Sequence, residues 1–147
     1  MNEKEEPIDF SEEHARQVLR DHITMIAKRS FEKYGPAITM DVMERVLADR
    51  DIIRRETTWR FDNSILEAGE FAMAVAQGDS YVIAVHDLFK ENQESLPWVI
   101  AYHLATVNYG EHVIESDEAE LFGASLLGMD VEEYYEKICL IIDNLAH

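Results

Sequence analysis

The chain has 147 residues, of which 47% are hydrophobic and one is cysteine, Cys139. This is the size of a single domain with its own core, and a lone cysteine excludes an internal disulfide and a cysteine-based zinc site. The net charge of −17 repels nucleic acid and anionic membranes, so we expect neither as a partner. No segment has the apolar length of a membrane span or the pattern of a signal peptide, which predicts a cytoplasmic protein.

The negative charge is concentrated in the second part of the chain. Residues 1–60 hold 11 basic and 13 acidic residues, whereas residues 61–147 hold 2 basic and 17 acidic residues. This asymmetry favours attraction between a mixed-charge half and an acidic half. An alternative interpretation is an acidic inhibitor or decoy surface for a basic partner.

The first part of the predicted single domain (1–147) is helical. Residues 1–8 are expected to form a disordered leader, and Asp9 or Ser11 to cap a helix from about Glu12 to Tyr34. A second helix is predicted over residues 40–53 with Thr39 or Asp41 as its cap. The domain therefore divides into N-terminal helices (9–60) and an acidic core half (61–147).

The segment 64–91 allows two interpretations. Gly78-Asp79 is a two-residue turn between segments rich in apolar residues, and YVIAVH is typical of a strand. This predicts an antiparallel hairpin at about 71–86, with strands 71–77 and 80–86. The alternative is a pair of helices, because Ser64 and Glu67 have the spacing of a capping box, and the fold would then be an all-α bundle.

The stretch SLPWVIAYHLATVNYG, residues 95–110, carries no charged side chain. Ser95 is suited to an N-cap, Pro97 to the first helical turn and Gly110 to the helix end. A helix that is apolar nearly all round is buried nearly all round, so we predict a central buried helix over 96–109. The resulting fold class is α+β, mostly helical, with one small antiparallel sheet.

Two more helices are predicted after the central one. Ser116 is placed to cap a helix from Asp117 to Leu127. Asp130 and Glu133 have the spacing of a capping box at the start of a last helix, whose apolar residues follow a helical stripe. Cys139 lies beside that stripe and is interpreted as a small core residue.

Polar residues that could carry chemistry cluster around the central helix. Nitrogen and carboxylate ligands of this kind bind zinc, iron or manganese, but no Glu-x-x-His or His-Glu-x-x-His pair is present. Core packing and helix capping explain the same residues without a metal, so no catalytic or metal residue is assigned. The candidate polar cluster comprises His86, Tyr102, His103, His112, Glu115 and Glu118.

The order of elements resembles the core of small zincin-type metallopeptidases of the ImmA/IrrE and SprT-like kinds. In those families a hairpin precedes an active-site helix, Ala-His-Glu-Leu-Gly-His, and a later helix reads Glu-Ala-x-x-Phe-Ala-x-x-Leu-Leu. Ala101 and Leu104 match the first motif, and the matches to the second helix are Glu118, Ala119, Phe122, Leu126 and Leu127. Tyr102, His103 and Thr106 stand where the two metal ligands and the general base would be. The resemblance therefore implies a zincin-like scaffold that has lost the standard catalytic site.

These observations predict a protein that acts by binding another protein or a second copy of itself, without a cofactor. A competing hypothesis is a metal-dependent hydrolase with a non-standard site for zinc or another divalent metal. That site would use His103, His112 and Glu118, together with His86 and Tyr102.

Overall fold

The computed structural model describes residues 6–110 and 116–146, with side chains described within 12–110 and 117–144. The chain begins with helix α1 (Glu6–Tyr34) and helix α2 (Met40–Ala48). Gly35 follows α1 with a positive φ of 79°, the conformation in which a glycine commonly ends a helix.

Helix α1 starts six residues earlier than the sequence pattern predicted. It begins at Glu6, so both predicted capping residues lie inside the helix and residues 6–8 of the predicted leader are helical. Pro7 is compatible with this start because the first N–H groups of a helix have no intrahelical partner. Residues 1–5 of that leader lie outside the described residues.

Helix α2 is shorter than predicted, although its predicted cap is confirmed. The Thr39 side chain accepts a hydrogen bond from the Val42 N–H, and the helix ends at Ala48 instead of residue 53. Asp49 takes an extended conformation there, and its carboxylate accepts hydrogen bonds from Lys33 Nζ at 2.7 Å and Tyr34 Oη at 2.6 Å. These two contacts to α1 lower the pKa of Asp49 to about 2 and hold the chain away from the helical path.

The sheet has three strands, β1 (Thr57–Phe61), β2 (Ala72–Gln77) and β3 (Ser80–Val85), in the order β1-β3-β2. Strands β2 and β3 confirm the predicted hairpin, with its turn at Gly78-Asp79. The sheet is mixed and not wholly antiparallel as predicted, because β1 pairs with β3 in parallel.

Strand β1 was missed by the sequence analysis, which extended the N-terminal helices to residue 60. Its sequence, TTWRF, combines β-branched and aromatic residues, the composition that favours a strand. Arg54 and Arg55 precede the strand and Arg60 lies within it, so the apolar residues of the segment are few. The N-terminal helices therefore end at Ala48.

The alternative of two helices in the 64–91 segment is wrong, and the predicted Ser64–Glu67 capping box does not form. Both the N–H and the hydroxyl of Ser64 donate to Asp62 Oδ1, at 2.9 and 2.6 Å. The Glu67 N–H donates to Glu70 Oε1 at 2.8 Å. These local contacts stabilise turns and leave no free cap for a helix.

The predicted central helix is interrupted at His103, which separates helix α3 (Leu96–Tyr102) from helix α4 (Leu104–Tyr109). The His103 N–H donates to the Ile100 carbonyl at 3.0 Å, three residues back, so the backbone tightens to a 3₁₀-type turn. Ser95 makes no side-chain cap, since two 3₁₀ turns precede α3. Burial of this segment is confirmed, and its fully or nearly fully buried residues are Leu96, Pro97, Val99, Ile100, Ala101, Leu104, Ala105 and Val107.

The last two helices, α5 (Ser116–Leu127) and α6 (Val131–Ala146), agree with the prediction. The Glu133 N–H donates to Asp130 Oδ1 at 2.9 Å, as the predicted capping box requires. Within the described part of the chain, helices α1 to α6 and the sheet contribute residues to one hydrophobic core. Among the described helices, none combines the length and the apolar surface that a membrane crossing requires.

Tyr134 is a buried side chain of α6 that contacts both α5 and α3. Its hydroxyl donates to the Trp98 carbonyl at 2.6 Å, and its ring lies against Gly123 of α5. A Cβ at position 123 would come within 2.6 Å of the Tyr134 hydroxyl oxygen and 2.7 Å of its ring. Only glycine leaves room for this ring.

We therefore predict that Gly123→Ala destabilises the fold although alanine is the better helix former. The helix-propensity gain is about 1 kcal/mol, whereas displacing the buried Tyr134 ring and its hydrogen bond costs about 3 kcal/mol. The net loss of about 2 kcal/mol would be measured by urea unfolding. Ser125→Ala in the same helix is the control, with an expected change within about 0.5 kcal/mol. A Gly123→Ala variant as stable as the natural protein would contradict this packing.

Candidate functional site

A cavity of about 390 Å³ lies between α3, α6 and the start of β2. Its wall is mainly apolar and aromatic, which is typical of ligand-binding cavities. Helix α6 contributes the largest share of the wall, and α5 contributes one carboxylate. The lining residues are Phe71, Ala72, Phe89, Val99, Tyr102, His103, Glu120, Tyr134, Tyr135, Ile138, Cys139, Ile141 and Ile142.

Two members of the predicted polar cluster, Tyr102 and His103, meet in this cavity. Their rings pack edge to face with centroids 5.4 Å apart. His86 lies outside the lining, where its Nδ1 accepts a hydrogen bond from the Leu88 N–H at 3.1 Å. Its ring centroid is 6.4 Å from that of Phe71, which does line the cavity.

Glu118 is directed away from the cavity, toward helix α1. Its side chain is 3% exposed, and its Oε2 lies 3.7 Å from Arg20 Nε. Both atoms are buried without a hydrogen-bond partner, so this ion pair is not closed by a direct hydrogen bond. The structure therefore does not bring Glu118 together with His103.

The remaining members of the cluster, His112 and Glu115, lie outside the described residues. Among the side chains described within 12–110 and 117–144, no three of histidine, cysteine, aspartate or glutamate are grouped as metal ligands. The alternative zinc or other divalent-metal site depends on His112 and so stays a prediction.

His103 is neutral at physiological pH because of its burial. Desolvation lowers the pKa of its imidazole to about 4, and the nearby Glu70 carboxylate opposes this shift only in part. A neutral imidazole offers one hydrogen-bond donor and one acceptor. His103 therefore supplies polarity to the cavity without a positive charge.

Two further polar groups of the lining, Glu120 and Tyr102, have raised pKa values that favour their neutral forms. Burial, followed by repulsion from Asp117, raises the pKa of Glu120. Burial raises the pKa of Tyr102, and repulsion from Glu120 and Tyr135 adds to this effect. Glu120 is the carboxylate of this lining, and the lining contains no lysine or arginine that would compensate its charge.

Sequence reasoning missed Glu120 as a site residue and placed Glu118, two residues earlier on the same helix, in the candidate polar cluster. Residues two apart on a helix are about 200° apart around its axis, so Glu118 and Glu120 face opposite sides of α5. The helical pattern of α5 therefore indicates that only one of the two glutamates can face the cavity. Which of them does so depends on the packing of α1 against the other side.

Cys139 also belongs to the lining, and the prediction of a small core residue is wrong. It is partly exposed, and it lies one helical turn after Tyr135, which also lines the cavity. Tyr135 is itself 52% exposed, because this side of α6 borders the cavity opening instead of another helix.

No protein-family model, curated protein or solved structure matches this chain. The resemblance to zincin-type metallopeptidases therefore stays a prediction from the residues quoted above.

The depressed pKa of His103 predicts an acid-dependent loss of stability. In the unfolded chain this histidine takes up a proton below about pH 6.5, whereas the folded state keeps it neutral until about pH 4. The unfolded state thus binds more protons in this interval, and stability falls as the pH decreases through it. His103→Gln should remove about 2–3 kcal/mol of this dependence between pH 6.5 and 4.

Urea unfolding at half-unit pH steps measures this difference, and NMR titration reports the histidine directly. An unchanged dependence in His103→Gln, or titration of His103 near pH 6.5, would show the prediction to be wrong.

Proposed function

We propose that the protein acts by binding an extended segment of another protein along strand β2, next to the cavity. The observation that carries this proposal is that β2 is an edge strand whose first residue, Ala72, lines the cavity. An extended peptide that adds to a sheet edge gains main-chain hydrogen bonds, and a neighbouring cavity selects one of its side chains.

The hydrogen-bonding register of the hairpin identifies the free side of β2. The His86 N–H donates to the Phe71 carbonyl at 2.8 Å, so this pair is of the hydrogen-bonded type. Because such pairs alternate along an antiparallel ladder, the backbone groups of Ala72, Ala74 and Ala76 point away from β3. They form a row of donors and acceptors on the outer edge of the sheet.

Strand β2 also lacks the features that usually block an edge. Its sequence, AMAVAQ, contains no proline and no charged residue, and the small alanine side chains leave space for a neighbouring strand. Glu70 and Asp79 carry charges only beyond its two ends. Nothing in the sequence of β2 therefore prevents a further strand from pairing with this edge.

Charge favours a different protein over a second copy of this chain. Two copies would each carry −17, and residues 61–147, which include β2, hold 17 acidic residues against 2 basic ones. Like charges at a shared interface are unfavourable, whereas a basic segment would be attracted. The sequence also allowed self-association, so a second copy of this chain is the competing partner for this edge.

The geometry favours binding over the alternative of metal-dependent hydrolysis. Tyr102 and Thr106 occupy the helical positions that two histidines would need, and the turn at His103 interrupts the helix between them. The wall of the cavity is mainly apolar, and its imidazole is neutral and desolvated. These features suit a bound side chain.

The test uses peptides selected on the protein from a displayed library of random 12-residue sequences. Ala74→Pro removes an outward N–H and leaves the β3 pairing intact, since proline is tolerated where an edge N–H faces solvent. We expect selected peptides to bind Ala74→Pro at least about tenfold more weakly, and Ala74→Ser, which keeps the N–H, like the natural protein.

N-methylation of the peptide, one residue at a time, gives an independent readout. Strand addition predicts that alternate positions lose binding, because only every second peptide N–H faces β2. Peptides that bind Ala74→Pro with unchanged affinity would contradict the proposal. Sedimentation that shows a dimer abolished by Ala74→Pro would assign the edge to a second copy instead.

A further inference from the structure

We propose that the cavity accepts the side chain of a lysine or arginine from the segment bound along β2. This inference rests on the proposed function and specifies the chemistry of the partner. It is carried by the combination of aromatic rings and an uncompensated carboxylate in one cavity.

Aromatic rings form a large part of the cavity wall. Tyr102, Tyr134 and Tyr135 line it from α3 and α6, and Phe71 and Phe89 line it from the side of the sheet. The face of an aromatic ring attracts a cation, most strongly where water is excluded. Tyr134 is fully buried and Tyr102 is partly buried, so their rings are at least partly shielded from solvent.

Carboxylates supply the negative charge that a cation would neutralise. Glu120 lies in the lining, and its charge adds to the effect of burial, which is the main cause of the raised pKa values of Tyr102 and Tyr134. Glu70 lies outside the lining, and its charge partly opposes the lowering of the His103 pKa by burial. The lining contains no lysine or arginine, so a ligand would have to bring the compensating charge.

The two basic residues of segment 61–147 are engaged elsewhere. Lys90 Nζ lies 3.6 Å from Asp87 and 5.7 Å from the centroid of the Phe61 ring. Lys137 Nζ lies 5.5 Å from the centroid of the Trp98 ring. Neither lysine lines the cavity.

The rest of the wall suits the stem of a long basic side chain. Val99, Ile138 and Ile142 present an apolar surface, against which the methylene groups of lysine or arginine can pack while the charged group stays near a carboxylate. His103 presents no like charge, because its pKa is lowered to about 4 by burial. A cavity of about 390 Å³ has room for such a side chain.

The first experiment probes the cavity alone with n-butylammonium, which reproduces the lysine side chain, and with n-butanol, its neutral counterpart. Titrations followed by ¹H–¹⁵N NMR would report on the amides of Tyr102, His103 and Tyr134. We expect n-butylammonium to shift these signals and to bind about fivefold more tightly than n-butanol.

Glu120→Gln is a close steric match that removes the charge from the lining and should weaken n-butylammonium binding about fivefold without affecting n-butanol. Glu132→Gln, on an exposed position of α6, removes the same charge outside the lining and is the control. Equal binding of the two probes, or n-butylammonium binding unchanged in Glu120→Gln, would overturn the inference.

The library peptides separate this inference from the proposed function. If both are correct, the selected peptides share a lysine or arginine, and its replacement by norleucine weakens binding to the natural protein but not to Glu120→Gln. Peptides that require the β2 edge but tolerate norleucine would overturn the cation site and leave strand addition standing. If no peptide requires the β2 edge while n-butylammonium binds as expected, strand addition fails and the cation site remains.

Discussion

The position of helix α6 depends on the buried ring of Tyr134. Its hydroxyl donates to the Trp98 carbonyl of α3, and the ring occupies the space that Gly123 leaves on α5. Three helices are thereby fixed to one another at one point, by a hydrogen bond that would be costly to leave unmade in the core. Because α6 forms the largest part of the cavity wall, the same contact determines the shape of the candidate site.

Electrostatics give this cavity its specific character. An apolar wall would by itself favour any hydrophobic group, but Glu120 adds a carboxylate. Burial and repulsion from Asp117 raise the pKa of this carboxylate, because both disfavour its charged form. His103 remains neutral, and both lysines of the acidic half interact elsewhere. A cation at this place would relieve repulsion that the folded protein otherwise retains, which links the local chemistry to the charge asymmetry of the whole chain.

The sequence identified elements wherever a local signal was unopposed. The Gly78-Asp79 turn placed the hairpin, and the Asp130–Glu133 capping box placed the start of α6. It failed where a tertiary contact competed with the local pattern. Asp49 ends α2 because Lys33 and Tyr34 of α1 bind its carboxylate, and strand β1 forms because β3 offers a parallel edge beside it.

By itself, the sequence determined that the fold is mostly helical, that the charge-free stretch is buried and that acidic residues are concentrated in the second half, and it favoured the α+β class over an all-α bundle. Each of these depends on residues close along the chain. It also proposed Tyr102 and His103, which the structure joins in one cavity. Only the tertiary structure decided that Glu118 faces Arg20 while Glu120 faces that cavity. The physical reason is that a helical pattern fixes the angle between two side chains, whereas the helices packed on either side decide which of them meets the core, the solvent or a site.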